Sequence, residues 1–325
     1  MSKIQSILVT GGYGFVGSRL LAQLADRPNV KLLAIIRKHD PSMPLFGAQP
    51  VEQDLTHTTA TEWDSVLGGI DTVIHTAARA HQLHDDDPVE AERAFWKINV
   101  EGTMALARQA AASGVRRFIF LSSIKVNGEA TLPGQKFKAS DPALPQDAYG
   151  RSKAEAETQL QALSRETGME VVIIRPPLVY GPGVKANFKN MIHWIKRGIP
   201  LPLSGLQNQR SLIGLDNLIS LIITCIDHPA AGNQTFLAAD ERDLSTAELI
   251  RAVAQAANCP DRLFPFPTRL LWLTSRLLGK QAIVQRLCGD LCVDSQHTQD
   301  TLNWAPSVSM QDELVRTIKS LEISK

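Results

Sequence analysis

The sequence lacks the features that would assign it to several common classes of protein. Its 325 residues contain only four cysteines, at positions 225, 259, 288 and 292, and none of them forms a C-x-x-C pair. This number is too small for a disulfide framework, and the spacing gives no metal site. The 34 Lys and Arg residues nearly balance the 33 Asp and Glu residues, so the net charge of +1 gives no electrostatic reason to expect nucleic-acid binding.

Long apolar segments are also missing. The purest apolar run, residues 218–226, is far shorter than the ~20 residues that a membrane span needs. The first residues lead directly into a strand-like run at 6–10, without the apolar region and cleavage site of a signal peptide. We therefore expect a cytoplasmic protein without membrane insertion, with one large or two modest domains.

The first half of the chain alternates short β-branched runs with helical stretches. Strands are predicted over residues 6–10, 31–36, 72–75, 117–122 and 170–175, and helices over residues 16–25, 91–112 and 149–167. Strands that alternate with helices indicate βαβ units with right-handed crossovers. The sequence therefore predicts an α/β fold with a Rossmann-type doubly wound parallel sheet.

A smaller C-terminal substrate-binding domain is predicted because this alternation stops after Arg175. Prolines at positions 176, 177, 182, 200 and 202 interrupt the pattern from there on. We predict a cofactor-binding domain formed by residues 1–176 and about 211–238, since residues 235–238 resemble another strand of the sheet. Residues 177–210 and 239–325 then form the predicted substrate-binding domain.

A glycine-rich turn, GGYGFVG from position 11, joins the first predicted strand to the first predicted helix. In such a turn Gly11 permits the tight bend, Gly14 lets the backbone approach a pyrophosphate, and Gly17 lets the helix pack closely on the strand. The phosphates would then contact the amides at the helix N-terminus, at Phe15 and Val16. We expect a dinucleotide at this turn.

The residues after the second strand indicate which dinucleotide is bound. A carboxylate about 20 residues after the glycines would accept a hydrogen bond from the ribose 2′-hydroxyl of NAD, but Arg37 and Lys38 stand there instead. A guanidinium forms charge-assisted hydrogen bonds with a 2′-phosphate. This favours NADP(H), with Arg37 as the main contact and Lys38 as the secondary one; the alternative is a solvated basic loop.

Four further residues are placed to approach the same cofactor. Asp54 and Leu55 follow the third strand-like run and are expected at the adenine edge. Ala77 and Ala78 follow the predicted strand at 72–75. Small side chains at a strand end would allow the close approach of a cofactor.

A tyrosine and a lysine at helical spacing form the candidate catalytic pair. Tyr149 and Lys153 are four residues apart, which places them on one helix face. A neighbouring ammonium favours the phenolate and should lower the tyrosine pKa from its ordinary value of about 10. Ser122 and Ser123 end a predicted strand, where a hydroxyl can bind the oxygen being oxidised or reduced. Tyr149 and Lys153 alone are weak evidence, because the same spacing occurs at an ordinary helix start. In combination with the glycine turn and a serine at a strand end, they favour a catalytic site.

Together these motifs resemble the extended short-chain dehydrogenase/reductases, especially those that act on nucleotide-diphosphate sugars. The resemblance also includes INVEGT at 98–103, RPPLVYGPG at 175–183, RSLI at 210–213 and LNWAP at 302–306. It adds Asn99 and Pro176 to the expected cofactor contacts. Counting back from VNG at 126–128, it identifies Ser123, rather than Ser122, as the catalytic serine.

The resemblance implies a set of substrate contacts as well. Asn187, Arg210 and Arg286 are the expected ligands of a diphosphate, which favours amide and guanidinium donors. Leu203 would line a pocket for the base, and Lys125 would reach the sugar. For each arginine and for Lys125, the alternative is an ordinary surface position.

Two departures from the family pattern bear on the reaction. Dehydratases of the family carry an acid pair directly after the catalytic serine or threonine, where this chain has Ile124 and Lys125. The resemblance therefore argues against 4,6-dehydration. Asn127 replaces the usual tyrosine, with no consequence that the sequence defines.

The leading functional hypothesis is NADPH-dependent reduction of a UDP-linked 4-keto-6-deoxy sugar, giving UDP-N-acetylquinovosamine for surface polysaccharide. Segments 122–129 and 175–188 resemble the enzymes of that reaction most. The alternative is a 4-epimerase of UDP-glucose or UDP-N-acetylglucosamine with tightly bound NAD. A flavonoid- or steroid-type dehydrogenase and a catalytically inactive NADP sensor are further alternatives, and retention of Tyr149 and Lys153 argues against the sensor.

Two predictions concern partners of the chain. Helices 91–112 and 149–167 resemble those of the dimer interface in this family, so a homodimer is expected. Residues 268–278 are rich in leucine and include Arg269 and Arg276. A membrane-surface helix is possible there, but a helix packed on the core or on a dimer partner is the favoured interpretation.

Overall fold

The computed structural model describes residues 4–55, 60–79, 87–267 and 287–323, together with Leu270 and Gln285. Arg286, Arg269 and Arg276 lie outside the described residues. The strands are β1 (Gln5–Thr10), β2 (Val30–Ile36), β3 (Gln49–Glu52), β4 (Thr72–His75), β5 (Arg117–Leu121), β6 (Glu170–Arg175), β7 (Leu178–Tyr180), β8 (Leu212–Gly214) and β9 (Thr235–Leu237). The helices are α1 (Phe15–Ala25), α2 (Ala60–Leu67), α3 (Pro88–Trp96), α4 (Thr103–Ala112), α5 (Ala148–Thr167), α6 (Ala186–Lys196), α7 (Leu215–Asp227), α8 (Thr246–Ala256), α9 (Gln296–Leu302) and α10 (Met310–Ile323).

Seven parallel strands form the main sheet, in the order β3-β2-β1-β4-β5-β6-β9. The order runs outward in both directions from β1 and β4, which confirms the predicted doubly wound sheet. In such sheets the carboxyl ends of the strands on either side of the switch point form a crevice that binds ligands. The candidate site residues near β1 and β4 therefore belong to this edge.

Helices cover both faces of the sheet because the strands are apolar on both sides. Ile7 and Val9 pack with α1 and α7 on one face, whereas Leu8 packs with α2, α4 and α5 on the other. No helix of the described residues is long and apolar enough to cross a membrane.

The element α5, which carries Tyr149, has well-defined ends. Asp147 precedes it in extended conformation and accepts a hydrogen bond of 2.7 Å from the Gly150 amide, as an N-cap does. Gly168 follows it at φ 78°, in the left-handed region that ends many helices. These signals explain why the predicted bounds, 149–167, lie so close to the observed ones.

A smaller sheet lies in the C-terminal part. Strands β7 and β8 pair in parallel, and a third apolar cluster around them joins α6, α8 and α10. Leu302 and Trp304, just before α10, pack instead with the α1 and α7 face of the main sheet. Consecutive segments of the second half thus contribute to both clusters.

Three local features differ from the sequence-based prediction. The predicted helix 91–112 begins at Pro88 and includes a π-helical turn at Lys97–Gly102. The sequence pattern gave no bounds for β3, the third strand-like run before Asp54, and it missed α2. The reason for β3 is its place at the sheet edge, where a proline and polar residues (QPVE) are tolerated and the apolar pattern is weak.

Candidate active site

The glycine turn connects β1 to α1 at the switch point. Gly11 has φ +72°, and a Cβ at this position would lie 3.1 Å from the backbone of Ala77. A Cβ on Gly17 would overlap the carbonyl oxygen of Gly11, and one on Gly14 would lie 2.9 Å from the same oxygen. The N-cap of α1 makes no side-chain hydrogen bond, so no side chain at this position caps the first amides of the helix, which are the groups that bind phosphates at helix N-termini.

The basic residues Arg37 and Lys38 lie next to this turn and are exposed. They follow Ile36, the last residue of β2, and the β2 backbone at Ile35 accepts a hydrogen bond of 3.1 Å from the Gly11 amide. The sequence reasoning missed Glu52, whose carboxylate ends β3 beside them and accepts a hydrogen bond of 2.9 Å from the His39 amide. Both a guanidinium and a carboxylate therefore lie at the carboxyl ends of β2 and β3.

The other expected cofactor residues lie along the same edge. The Ala77 amide donates a hydrogen bond of 3.1 Å to Thr10 Oγ1, which fixes the exit of β4 against β1. Ala78 and Asp54 are exposed, and Leu55 is half-buried, with its backbone against Gly102. The edge is thus lined by backbone and small side chains.

Asn99 is buried and braces the site from within the protein. Its amide oxygen accepts a hydrogen bond of 2.8 Å from the Arg79 amide, and its Nδ2 donates one of 3.0 Å to Ser152 Oγ. Ser152 lies between Tyr149 and Lys153 on α5. Asn99 therefore links the exit of β4 to the helix with the candidate catalytic pair, and the π-helical turn at Lys97–Gly102 presents it there.

Ser123, Tyr149 and Lys153 come together at the carboxyl end of β5. The Ser123 side chain forms a hydrogen bond with Tyr149. Lys153 is 1% exposed, donates a hydrogen bond of 2.8 Å to the Leu121 carbonyl, and has Nζ 4.3 Å from the centre of the Phe120 ring. The three side chains that the sequence singled out thus meet at one strand end.

The electrostatics of this group differ from the expectation. Burial, with a contribution from the Asp147 carboxylate, raises the pKa of Tyr149 to about 12, and the bond with Ser123 only partly opposes this. Burial lowers the pKa of Lys153 to about 7 against the effect of Glu157. The expected lowering of the tyrosine pKa by Lys153 is wrong for this structure, because the ammonium is directed to Leu121 and Phe120. Tyr149 is therefore protonated here.

His75 lies behind this group, fully buried. Its ring nitrogens lie 2.8 Å from Thr10 Oγ1 and 3.0 Å from Thr103 Oγ1, and its ring stacks on Phe120. Burial, together with the charge of Lys153, lowers the pKa of His75 to about 3. A neutral imidazole with two hydroxyl partners indicates a bracing role rather than acid–base chemistry.

A buried ionic network supports the loop with Ser123. The Arg175 guanidinium, at the end of β6, donates hydrogen bonds of 3.0 and 3.1 Å to the Glu157 carboxylate. Glu157 also accepts a short hydrogen bond from Ser122, and Arg175 donates one to Asn127. The sequence shows Glu157 four residues after Lys153 and Arg175 at the end of a predicted strand. Only the fold shows that the two side chains are in contact.

Lys125 is held in a second ionic cluster at the start of α5. Its ammonium contacts the carboxylates of Asp147 and Glu129, the latter at 3.0 Å. Burial acts to raise the pKa of Asp147, but hydrogen bonds from Lys125 and from the Gly150 amide outweigh it and lower the pKa. Lys125 was expected to reach a sugar, whereas here it joins the turn after Ser123 to the cap of the catalytic helix.

The remaining residues that were expected to bind substrate differ in their exposure to solvent. Asn187 is exposed in the first turn of α6, after Ala186 with its positive φ of 52°. Leu203 is buried. Arg210 is half-buried and donates a hydrogen bond of 3.1 Å to the Gly289 carbonyl. Arg286 lies outside the described residues.

The fold and the edge of the sheet define a Rossmann-type protein with a Ser–Tyr–Lys group beside a dinucleotide cradle. Residues 7–239 match the family model described as "NAD dependent epimerase/dehydratase family", and the chain belongs to this family. It is 45% identical over 320 residues to a "UDP-glucose 4-epimerase" of Vibrio cholerae, covering 97% of this chain and 95% of that protein.

Two further similarities concern a second relative and a solved structure. The chain is 29% identical over 289 residues to an "N-acetyl-alpha-D-glucosaminyl-diphospho-ditrans,octacis-undecaprenol 4-epimerase" of Escherichia coli O157:H7, covering 86% of this chain and 82% of that protein. The structure of MoeE5 with UDP-glucose and NAD superimposes with a TM-score of 0.76 at 21% identity, over 98% of this chain and 99% of that one. At that identity the likeness establishes the shared fold.

Proposed function

We propose that this protein transfers a hydride at C4 of a UDP-linked sugar and, as the leading reaction, inverts the configuration there as a 4-epimerase. The meeting of Ser123, Tyr149 and Lys153 at the carboxyl end of β5, beside the glycine turn, carries the proposal. The 45% identity to a UDP-glucose 4-epimerase over nearly the whole chain supports this reaction, which was the alternative hypothesis from the sequence.

The described residues would divide the chemistry as follows. The glycine turn and Lys153 would hold a nicotinamide dinucleotide, which would supply reversible hydride transfer at C4. Tyr149 would take the proton of the C4 hydroxyl as the hydride leaves and give it back as the hydride returns. Ser123 would donate a hydrogen bond to the same oxygen, and Lys153 would hold the ribose and supply positive charge near Tyr149.

The second half of the chain would bind the rest of the substrate. Asn187 and Arg210 are proposed to contact the diphosphate, and Leu203 to line the base pocket. Residues 186–203 follow β7, which begins just after Arg175 and Pro176 at the end of β6. They therefore start from the same edge of the sheet as the catalytic group. Arg286 keeps its proposed role as a third diphosphate ligand.

A second candidate function is NADPH-dependent reduction of a UDP-linked 4-keto-6-deoxy sugar. One observation favours it. Arg37 and Lys38 follow β2 and are exposed, as a 2′-phosphate would require.

One pair of incubations separates the two reactions. UDP-glucose or UDP-N-acetylglucosamine is given to the purified protein without added cofactor, and the C4 epimer is sought by NMR. In parallel, a UDP-4-keto-6-deoxy sugar is supplied with NADPH or NADH and the nicotinamide absorbance is followed. Epimer formation in the first supports the leading proposal; cofactor consumption in the second without epimer formation overturns it in favour of reduction.

Cofactor choice can be tested separately. Replacing Arg37 by Asp should weaken NADPH binding far more than NADH binding, because only the former presents a 2′-phosphate. Glu52→Gln is the matched change on the neighbouring strand and should weaken NADH binding if that carboxylate holds the 2′-hydroxyl. Equal losses for both cofactors in Arg37→Asp would show that Arg37 is not the phosphate contact.

A further inference from the structure

The carboxylate of Asp243 lies between two segments that the proposed reaction uses. Its Oδ1 accepts a hydrogen bond from Ser211 Oγ, and Ser211 directly follows Arg210, a proposed diphosphate ligand. Its Oδ2 lies 2.8 Å from Lys136 Nζ, in the loop of residues 128–147 that ends where α5 begins. One acidic side chain therefore holds donors from two segments that are far apart in the sequence.

Backbone hydrogen bonds join Asp243 to the proposed diphosphate ligand. Arg210 and Leu244 exchange two amide–carbonyl bonds of 2.9 Å, so Asp243 is the neighbour of a residue paired with Arg210. Leu291 pairs with Arg210 in a parallel bridge, and its carbonyl accepts a bond of 2.8 Å from the Ser211 amide. A shift of Arg210 on binding a diphosphate would therefore move the Asp243 carboxylate with it.

The loop with Lys136 contacts the turn that follows the proposed catalytic serine. The ring of Phe137 packs against Gly128, so that a Cβ on Gly128 would lie 2.9 Å from it. The Lys138 carbonyl accepts a hydrogen bond of 3.0 Å from Asn127 Nδ2. The two residues after Lys136 thus touch the turn directly, and a displacement of Lys136 would reach it through them.

The same loop packs on the segment that pairs with Arg210. The Phe137 amide donates a hydrogen bond of 2.9 Å to the Cys292 carbonyl. Phe137 also joins Ile124 and Leu291 in one apolar cluster, and Ile124 directly follows Ser123. The contacts therefore form one continuous network between the diphosphate segment and the catalytic turn.

We propose that Asp243 is a positioning residue, which through Lys136 couples binding of the substrate diphosphate to the placement of the catalytic group. This inference rests on the proposed function and gives the diphosphate a part in catalysis as well as in binding. Binding energy from a part of the substrate that does not react can be used to arrange the groups that do. The Lys136 side chain is 53% exposed, so its ion pair contributes little to stability and its removal leaves the protein folded.

The first test measures amide hydrogen exchange in the full chain with and without UDP. We expect UDP to slow exchange over residues 128–147 in wild type, and this slowing to be lost in Asp243→Asn and in Lys136→Met. Asp243→Asn keeps an acceptor for Ser211 and loses only the charge that Lys136 meets. Lys136→Arg keeps the ion pair and should retain the slowing. UDP affinity, measured by calorimetry, should not fall in any of these variants, because none removes a proposed UDP ligand.

The second test is steady-state kinetics with the substrate that the incubations identify. Asp243→Asn and Lys136→Met should each lower kcat about tenfold with KM unchanged, and Lys136→Arg should recover most of the loss. The double variant should lose no more than either single variant, because both changes remove the same ion pair. A merely structural role would instead lower the midpoint of thermal unfolding and leave kcat of the folded protein unchanged.

A matched control is Asp227→Asn, at the last residue of α7. One oxygen of Asp227 accepts a hydrogen bond of 2.8 Å from Gln5 Nε2 and the other accepts one of 2.9 Å from the Arg27 guanidinium, so this acid also joins a neutral donor and a cation. The control should change neither the exchange in the loop nor kcat.

Two kinds of failure are distinguishable. UDP binding that leaves exchange over residues 128–147 unchanged, or an unchanged kcat in Asp243→Asn, would overturn this inference and leave the proposed substrate class intact. Absence of UDP binding to wild type would overturn the proposed substrate class and this inference with it.

Discussion

Arg175 Nη1 donates a hydrogen bond of 2.9 Å to Asn127 Oδ1, and this bond ties the end of β6 to the turn that follows Ser123. Asn127 Nδ2 in turn donates one of 3.0 Å to the Lys138 carbonyl. Asn127 stands where the resemblance to the family predicts tyrosine, and its side chain satisfies one buried donor of Arg175 and the carbonyl of Lys138. Asparagine at this position therefore has a structural consequence. A hydrophobic residue at position 127 would leave the Arg175 donor and the Lys138 carbonyl without this partner.

Replacing Asn127 by Leu should lower the free energy of unfolding by about 1–3 kcal/mol, because a donor of the buried Arg175 loses its partner. Urea denaturation at an unchanged slope measures this. Asn127→Asp keeps an acceptor for Arg175 and should cost less than Asn127→Leu. A leucine variant as stable as wild type would show that the bond with Arg175 contributes nothing.

Glu157→Gln should also destabilise the protein, by about 3 kcal/mol, because it leaves Arg175 as a buried charge without its counterion. The double variant Glu157→Gln with Arg175→Gln removes both charges and should lose less than the sum of the two single variants. A double-mutant cycle in denaturant measures this coupling. Strict additivity would mean that the two side chains do not stabilise each other.

Gly17→Ala should destabilise the protein by about 3 kcal/mol and weaken dinucleotide binding, because the new Cβ would overlap the Gly11 carbonyl. Gly205→Ala is the control, since nothing lies within 4 Å of a Cβ at that exposed position. It should change stability by less than about 0.5 kcal/mol. Equal effects at the two positions would remove the steric argument for the glycine turn. Thermal unfolding and cofactor titration supply the two measurements.

Lys125→Met distinguishes the two roles considered for this lysine. Because Lys125 contacts Asp147 and Glu129 beside the start of α5, we expect kcat to fall about tenfold through misplacement of Tyr149, with KM unchanged. Lys125→Arg should recover most of the loss by keeping the charge. A raised KM with unchanged kcat would instead assign Lys125 to the sugar, as the family resemblance implied. Steady-state kinetics, with the substrate that the incubations described above identify, distinguishes the two roles.

Glu313→Gln should stabilise the protein in a pH-dependent way. Glu313 is 1% exposed beside Gly181 and Gly214, and burial, with the charge of Asp216, raises its pKa from 4.5 to about 7. The folded protein therefore holds a proton that the unfolded chain loses between these values, and stability from this group falls as pH rises from 4.5 to about 7.

The expected gain for Glu313→Gln is about 2 kcal/mol above pH 7 and close to zero below pH 4.5, measured as thermal unfolding across pH. Glu166→Gln, on the exposed side of α5, is the control and should show no such trend. A pH-independent difference between Glu313→Gln and wild type would contradict buried ionisation as the cause.

The local sequence pattern was sufficient for the main sheet and for the principal site residues. Strands β4 and β6 have the predicted bounds, and α5 differs by one residue because Asp147 and Gly168 mark its ends. The glycine turn could be located because it belongs to one strand–turn–helix unit, and Tyr149 and Lys153 because they share one helix face, whereas the choice of Ser123 over Ser122 rested on the family resemblance. The bounds of β3 could not be predicted because an edge strand needs little apolar character.

The tertiary structure alone decided which distant groups meet. Glu157 contacts Arg175 across 18 positions, and Lys125 contacts Asp147 across 22, and no periodicity in the sequence relates them. The protonation of Tyr149 likewise depends on burial and on where the Lys153 ammonium is directed, which are properties of packing. The sequence by itself determined the doubly wound sheet and the position of the glycine turn, since those follow from local spacing. The electrostatic state of the site required the fold, because it arises from contacts between segments far apart in the chain.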